Sequence, residues 1–210
     1  MNGKVYLFII FAIFSLGNII SAQKSYKVGK YLTKPFLMPL LLLIYLSGTC
    51  SPKAVIIFAL VFAFLGDVFL MPEGIFFNLG LGSFLIGHLF YIIALAQPIG
   101  KIPLIFYIFI IPYLIYGHYV YIKLLPYIKS MKVPIFLYLT TITTMSFLSI
   151  LRGWSITGYE FWLPFIGSIL FIASDTMLAF NIFKVKTKDL DSYIMATYIG
   201  AELLIVLGFL

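Results

Sequence analysis

Hydrophobic residues of this chain fall in long continuous runs, and most charged residues lie in the short stretches between them. The strands of a membrane barrel alternate apolar and polar residues over about ten positions, and these runs do not. Within lipid, every backbone polar group must be hydrogen bonded internally, which leaves helices as the alternative to a closed barrel. The pattern therefore predicts an all-α, polytopic integral membrane protein.

Eight runs are near the roughly 20 residues that a helix needs to cross a hydrocarbon core, allowing for short and tilted helices. They are residues 5–20, 35–49, 54–71, 79–96, 102–122, 133–150, 162–183 and 192–209. The second run is short and contains Pro35 and Pro39, of which Pro35 suits a helix start. No linker, low-complexity segment or fixed repeat interrupts the pattern. Residues 1–210 are thus predicted to form a single transmembrane domain, one bundle of eight helices.

Composition excludes the soluble and disordered classes. Hydrophobic residues make up 63% of the chain and charged residues 10%, whereas soluble domains have about 45–50% and roughly 25%. A disordered chain would be poor in apolar residues. Cys50 is the single cysteine, so an internal disulfide or a thiolate metal site is impossible.

The distribution of basic residues predicts the orientation in the membrane. A net charge of +7 could indicate nucleic-acid binding, but ten of the 14 basic residues lie in connections on one side of the predicted spans. They are Lys24, Lys27, Lys30, Lys34, Lys123, Lys129, Lys132, Lys184, Lys186 and Lys188. The positive-inside rule makes this side cytoplasmic and places both termini outside, with no nucleic acid as a partner. We expect the plasma membrane of a bacterium.

An alternative for the first run is a cleaved signal peptide. Lys4 precedes an apolar stretch that ends at Ser21-Ala22, as a signal sequence would. Cleavage would place the next four lysines outside and would invert the charge distribution.

Ionisable residues inside the predicted spans are the candidates for function, because a charge at mid-membrane costs roughly 2.5–3.5 kcal/mol on insertion scales. They are Asp67, His88, His118, Asp175 and Glu202, with Lys34 at the edge of the second span. At ~1.5 Å of rise per residue, all of them fall in or near the cytoplasmic half. We therefore expect a polar cavity that opens toward the cytoplasm. The remaining acids, Glu73, Glu160, Asp189 and Asp191, are expected to be solvated.

Two buried acids can divide the work of acid/base catalysis, since one can hold a proton while the other is ionised. Such pairs cleave acetal-type C–O bonds through oxocarbenium-like transition states. A vinyl ether breaks similarly and needs neither a metal nor a nucleophilic serine. Residue types alone do not select this substrate, and Asp67 and Asp175 could instead pair with Lys34 as structural contacts. His118, near several tyrosines at a membrane interface, is expected to be structural.

Several short motifs occur in order along the chain. They are Lys34-Pro35, Gly66-Asp67, the run Phe77…Gly80…Phe84…His88…Tyr91, Ser174-Asp175 and Tyr198…Ala201-Glu202. In these motifs, and in the spacing of the spans, nearly the whole chain resembles the YhhN family of lysoplasmalogenases. The resemblance implies hydrolysis of the vinyl ether bond of lysoplasmalogens to a fatty aldehyde and a glycerophosphocholine or glycerophosphoethanolamine. It implies that Asp67 and Asp175 are catalytic. The family pattern more often has glutamine at the position of Glu202.

Roles for the site residues follow as hypotheses. The deeper Asp175 protonates the vinyl ether, and Asp67, nearer the cytoplasm, holds the attacking water. The residues predicted to bind substrate or tune the acids are Lys34, Asn78, His88, Tyr198 and Glu202. The expected partners are a lysophospholipid substrate and membrane lipids, and no cofactor or metal is expected.

Three other functions remain open from the sequence. A proton-coupled transporter or lipid carrier would also use intramembrane carboxylates, although no paired broken helices occur in matching halves. A metal-dependent hydrolase could use His88, His118 and one aspartate as ligands. A structural membrane subunit would have no turnover, and it would leave the clustered carboxylates unexplained.

Overall fold

The computed structural model describes residues 2–72, 74, 76–97, 99–187 and 189–210. In these ranges the chain forms eight α-helices and two short 3-10 helices, and it forms no strand. The α-helices are α1 (Asn2–Gln23), α2 (Lys27–Gly48), α3 (Ala54–Phe69), α4 (Phe77–Ala96), α5 (Ile110–Leu124), α6 (Lys132–Arg152), α7 (Tyr159–Phe183) and α8 (Leu190–Leu207). The all-α prediction is confirmed. Glu73 and Lys188 lie outside the described residues.

Seven helical segments of the described chain are long and apolar enough to cross a membrane, which indicates an integral membrane protein. The remaining helix, α3, has 16 residues and is shorter than any of these seven segments. At ~1.5 Å per residue it is about 24 Å long, less than a typical hydrocarbon core of ~30 Å. The predicted count of eight spans is therefore not confirmed.

The prediction that α2 starts at Pro35 is wrong, because the helix begins at Lys27 and contains both prolines. Proline has no N–H and normally disrupts a helix interior. Here tertiary contacts hold the segment before Pro35 in helical form. The Tyr31 hydroxyl donates to the Met71 carbonyl at 2.9 Å, and Asn18 of α1 donates to the Thr33 hydroxyl at 2.8 Å.

The fifth predicted span, 102–122, is not a continuous α-helix. Leu104–Phe109 forms a 3-10 helix that follows Pro103, and α5 begins only at Ile110. Pro112 is the third residue of α5, where the first turn tolerates a missing N–H. A regular helix through Ile108 would place that carbonyl against the Pro112 ring. The second 3-10 helix, Lys129–Met131, leads into α6.

Contacts between connections define one end of the helices, which we call the basic end. It comprises residues 24–34, 123–132 and 184–187, together with Met71 and Asp191. The Lys30 ammonium pairs with Asp191 at 2.7 Å, and Tyr31 contacts Met71. Lys184 lies over the Tyr127 ring at 5.9 Å. Nine of the ten lysines assigned to one side of the membrane lie in these segments, and the tenth, Lys188, is outside the described residues.

The opposite end is formed by the remaining connections and the C-terminal residues. Lys53 and Arg152 both lie over the Phe209 ring, at 5.5 and 4.4 Å from its centroid. The Gly100 amide donates to the Ser155 hydroxyl at 3.3 Å. The alternation of connections between two ends agrees with the order predicted from the runs.

Two glycines allow the closest helix approaches near the acidic residues. A Cβ added at Gly87 of α4 would lie 3.2 Å from the Ala59 carbonyl of α3. A Cβ at Gly167 of α7 would lie 2.9 Å from the Ala201 carbonyl and 3.0 Å from the Ile205 amide of α8. Small residues permit such backbone contact in membrane helices. These contacts set the spacing of α3 from α4 and of α7 from α8.

Replacing Gly167 by Ala should destabilise the protein by about 1–3 kcal/mol, because the obstructing atoms belong to the α8 backbone and the helices must separate. Thermal unfolding of the purified protein in detergent measures the change. Gly200→Ala is the matched control, since its Cβ would meet Leu170 at an ordinary 3.5 Å. A Gly167→Ala protein that melts with the Gly200→Ala protein would contradict the tight contact.

Candidate functional site

Asp67 is held in the interior by groups from two other helices. It lies near the C-terminal end of α3, and its side chain is 1% exposed. Lys34 of α2 places its ammonium 3.1 Å from Oδ1, and the Tyr198 hydroxyl of α8 donates to Oδ2 at 2.9 Å. The ion pair and the hydrogen bond offset the loss of water around this carboxylate. Three helices thus meet at Asp67 on the side of the basic end.

Asp175 is held differently, by a tyrosine and, among the described residues, by no ion pair. It lies in the second half of α7 and is half-buried. The Tyr138 hydroxyl of α6 donates to Oδ2 at 2.6 Å. The next residue, Thr176, shares a hydrogen bond with the Tyr116 hydroxyl of α5 at 2.5 Å. Asp175 therefore faces α5 and α6 rather than α2.

Glu202 is the most deeply enclosed of the three acids, with no exposed surface. It lies on α8, one turn beyond Tyr198, and the Tyr91 hydroxyl of α4 donates to its Oε2 at 2.5 Å. Its Oε1 has no hydrogen-bond partner among the described residues. Glu202 is within Coulombic range of both Asp67 and Asp175.

Aromatic rings fill the space between the acids. Phe171 of α7 lies edge-on to the rings of Tyr198 and His88, at centroid distances of 5.6 and 4.5 Å. His88 in turn lies edge-on to Tyr138 at 5.5 Å. A continuous set of rings therefore runs from the tyrosine on Asp67 to the tyrosine on Asp175. The tyrosines that bind the two aspartates are thus joined by ring contacts, with Asp67 buried and Asp175 half-buried.

His88 is positioned by the backbone of its own helix. Its Nδ1 lies 2.6 Å from the Phe84 carbonyl, and because a carbonyl can only accept, Nδ1 carries the proton. Nε2 is then an acceptor, and it has no partner among the described groups although the side chain is only 2% exposed. His88 offers one unused hydrogen-bond acceptor beside Phe171 and Tyr138.

Two sequence-predicted residues lie away from this region. Asn78, at the start of α4, is exposed and lines a groove between α4 and α6. His118 is exposed on α5 and lines a separate surface groove with Leu114, Tyr119 and Lys123. The structure therefore brings together Lys34, Asp67, Tyr198, Glu202, His88 and Asp175, and it separates Asn78 and His118 from them. In the described part of the chain, no cluster of three potential metal ligands occurs.

Sequence reasoning missed two features of the site. Tyr138 was not among the candidates, although a tyrosine several residues inside an apolar span needs a partner for its hydroxyl. Asp191, expected to be solvated, instead pairs with Lys30 and accepts from Asn181 at 2.9 Å. Asn181 also accepts from the Thr187 amide at 2.7 Å, so it anchors the connection between α7 and α8.

Comparison with known proteins gives one match. The model of the YhhN family matches residues 29–209, which span α2 through α8. No curated protein shows a significant match to the chain, and no solved structure does.

Replacing Lys34 by Met should lower stability, since it leaves the enclosed Asp67 carboxylate without its cation. Breaking one partner of a buried pair costs about 3–5 kcal/mol when the remaining group stays charged. Adding Asp67→Asn to Lys34→Met removes the charge and should recover part of the loss. Thermal unfolding of the single and double variants measures the coupling.

Lys30→Met is the matched control, because Lys30 and Asp191 are each about 30% exposed. An exposed pair is worth about 0–1 kcal/mol. Equal losses in the two lysine variants would contradict the special environment of Asp67.

Proposed function

Since the chain belongs to the YhhN family, we propose that it is a membrane hydrolase resembling lysoplasmalogenase. It cleaves the vinyl ether bond of lysoplasmalogens to a fatty aldehyde and glycerophosphocholine or glycerophosphoethanolamine. One observation carries the proposal. The acids of α3 and α7 both accept a tyrosine hydroxyl, and among the described residues only Asp67 is paired with a lysine.

The difference in partners assigns the two roles. Lys34 favours the ionised form of Asp67 and suits it to act as a base. Asp175 has a tyrosine as its partner, so no ion pair opposes its neutral, proton-carrying form. Asp175 is therefore the acid. It donates its proton to the alkene carbon farther from the ether oxygen, and the electron pair of that oxygen forms an oxocarbenium ion.

Water then adds to the oxocarbenium carbon, and Asp67 removes a proton from that water to give a hemiacetal. In the second half, the charged Asp175 takes back the hemiacetal hydroxyl proton while Asp67 gives its proton to the departing glycerol oxygen. The C–O bond breaks and the aldehyde C=O forms. One water is consumed, and both aspartates return to their starting protonation states without a cofactor.

The membrane orientation belongs to the same proposal. The basic end faces the cytoplasm by the positive-inside rule, and both termini lie outside. Asp67 lies near the basic end of α3, so its water comes from the cytoplasmic side.

Asp67→Asn and Asp175→Asn should each lower aldehyde release from a lysoplasmalogen by about 100-fold or more, the usual contribution of a general acid or base. Asn keeps the size of the side chain and its ability to accept the tyrosine hydrogen bond. Purified protein is given lysoplasmalogen, and the aldehyde is trapped and quantified. The matching acyl lysolipid should yield no fatty acid.

Glu160→Gln is the control variant, because Glu160 is an exposed acid at the start of α7. Full turnover in either aspartate variant, with thermal unfolding unchanged, would remove that residue from the mechanism. No aldehyde from the wild-type protein, combined with lipid uptake into vesicles driven by a pH gradient, would favour a carrier instead.

The single cysteine tests the orientation. Cys50 is exposed at the opposite end, so a membrane-impermeant maleimide should label it in intact spheroplasts. In a Cys50→Ser background, Ser130→Cys places a thiol at the basic end, and labelling should then require permeabilisation. The reverse labelling pattern would invert the proposed topology.

A further inference from the structure

A groove of about 340 Å³ runs along the membrane face between α4 and α6. Its lining is apolar except for one amide, and it consists of Asn78, Leu81, Gly82, Leu85, Met131, Val133, Pro134 and Leu137. Both helices belong to segments long and apolar enough to cross a membrane, so the groove opens to lipid.

The inner end of the groove leads toward Asp175. On α4, the lining positions Leu81 and Leu85 continue one turn further to His88 on the same face. On α6, Pro134 continues one turn further to Tyr138 in the same way. The His88 and Tyr138 rings lie 5.5 Å apart, and the Tyr138 hydroxyl donates to Asp175. The two faces that form the groove therefore converge on the ring pair that covers the acid.

Packing inside the protein also connects the groove with α7, the helix that carries Asp175. Leu81, Met131 and, from α7, Ala179 all pack against an apolar cluster that includes Ile172 of α7. The two α7 residues, Ile172 and Ala179, lie three before and four after Asp175, on the same stripe of the helix. The wall of the groove and the surroundings of Asp175 are thus one packed unit.

The outer end of the groove carries positive charge. Lys132 directly follows Met131 and Lys129 precedes it by two residues, and both lysines are exposed at the basic end. Asn78, also exposed, adds an amide that can donate to a phosphate oxygen. The positive charge of the two lysines complements an anionic head group, and the rest of the groove is lined by apolar side chains that suit a hydrocarbon chain.

We infer that this groove is the lateral binding site for a single-chain phospholipid, with its phosphate at Asn78, Lys129 and Lys132 and its chain along Leu81, Gly82 and Leu85. The volume lies at the small end of the roughly 300–1,000 Å³ range of ligand pockets, which suits one chain rather than two. In a lysoplasmalogen the vinyl ether is only a few bonds from the phosphate. A lipid seated here lies along the two helix faces that lead to the His88–Tyr138 pair, and moving further along the groove brings its vinyl ether bond to Asp175 from the bilayer.

This inference rests on the proposed function for the identity of the substrate, and it changes one earlier expectation. Lys34 is occupied by Asp67, so the lysines beside α6 rather than Lys34 bind the phosphate. Head group and attacking water then approach from different helices, the lipid between α4 and α6 and the water from the side of Asp67.

Gly82 allows a direct test, because a Cβ added there meets no atom within 4 Å. Gly82→Phe should place a ring in the groove, since its Cβ is unobstructed. The probe is a lysophosphocholine whose chain is joined by a saturated alkyl ether, which cannot be hydrolysed by this chemistry, and which carries a diazirine near the head. After irradiation in nanodiscs, mass spectrometry locates the labelled peptides.

We expect labelling of residues 78–85 and 131–137 that excess unlabelled probe displaces, and roughly tenfold weaker labelling in Gly82→Phe, as for a tenfold weaker Kd. Leu89→Phe is the matched control, an added ring on the lipid-facing side of the same helix at a position 43% exposed. It should label as wild type. Even labelling of all lipid-facing helices, or unchanged labelling in Gly82→Phe, would overturn the inference.

A second arm tests the head-group end. Lys129→Gln combined with Lys132→Gln should weaken labelling by the phospholipid probe but not by the matching alkylglycerol, which lacks phosphate. Labelling by the phospholipid probe that stays at the wild-type level in this variant would remove the lysines from the site.

The binding assay and the turnover assay test the groove and the proposed reaction separately. Displaceable groove labelling without aldehyde release from lysoplasmalogen would keep the groove and remove the proposed reaction. Aldehyde release that Gly82→Phe leaves unchanged, together with unchanged labelling, would keep the reaction and remove the groove.

Discussion

Burying carboxylates among apolar helices is the constraint on which the interior of this protein depends. Each of Asp67, Asp175 and Glu202 accepts a hydrogen bond from a tyrosine on another helix. These contacts connect α3 with α8, α7 with α6, and α8 with α4. A polar group that loses water in lipid must find such a partner, so the three acids dictate which helices meet. A sixteen-residue helix is held in place at its end by an ion pair and a tyrosine.

The tyrosines do more than satisfy these acids. Each presents one hydroxyl to a carboxylate and an aromatic body to its neighbours, which suits a site where a polar reaction must occur beside a hydrocarbon chain. The rings of Phe171 and His88 connect the tyrosine on Asp67 with the tyrosine on Asp175. Glu202 lies one turn beyond Tyr198 and accepts the Tyr91 hydroxyl, so a glutamine there would keep the shape of the side chain and its ability to accept this hydrogen bond.

Much of the fold could be predicted from the sequence, because hydrophobic runs in a membrane protein report helices directly. Six of the eight helices begin and end within three residues of the predicted runs. The failures have local causes. Lys30 and Tyr31 bind partners that are distant in sequence and so extend α2 past Pro35, while Pro112 shortens α5. Neither effect can be read from periodicity.

In the candidate site, too, some residues could be predicted from the sequence and others could not. Intramembrane charges marked Asp67, Asp175 and Glu202, since each is costly where it stands. The partners were harder to predict. Tyr138 is one of 15 tyrosines, and only the crossing of α6 over α7 distinguishes it. Asn78 failed to join the acids because it lies at the exposed start of α4, ten residues before His88 on the same face.

The two prolines of α2 weaken the backbone connection between the start of this helix and the rest of it. Since neither Pro35 nor Pro39 has an N–H, the carbonyls of Tyr31 and Pro35 receive no bond from the next turn of their helix. The eight residues before Pro35 are therefore fastened less firmly to the rest of α2 than a regular helix would fasten them. Lys30 and Lys34 lie on that same portion, one turn apart. The Lys34–Asp67 and Lys30–Asp191 ion pairs therefore both depend on this loosely connected first part of α2. A movement that breaks the exposed Lys30–Asp191 pair would also move Lys34 relative to Asp67.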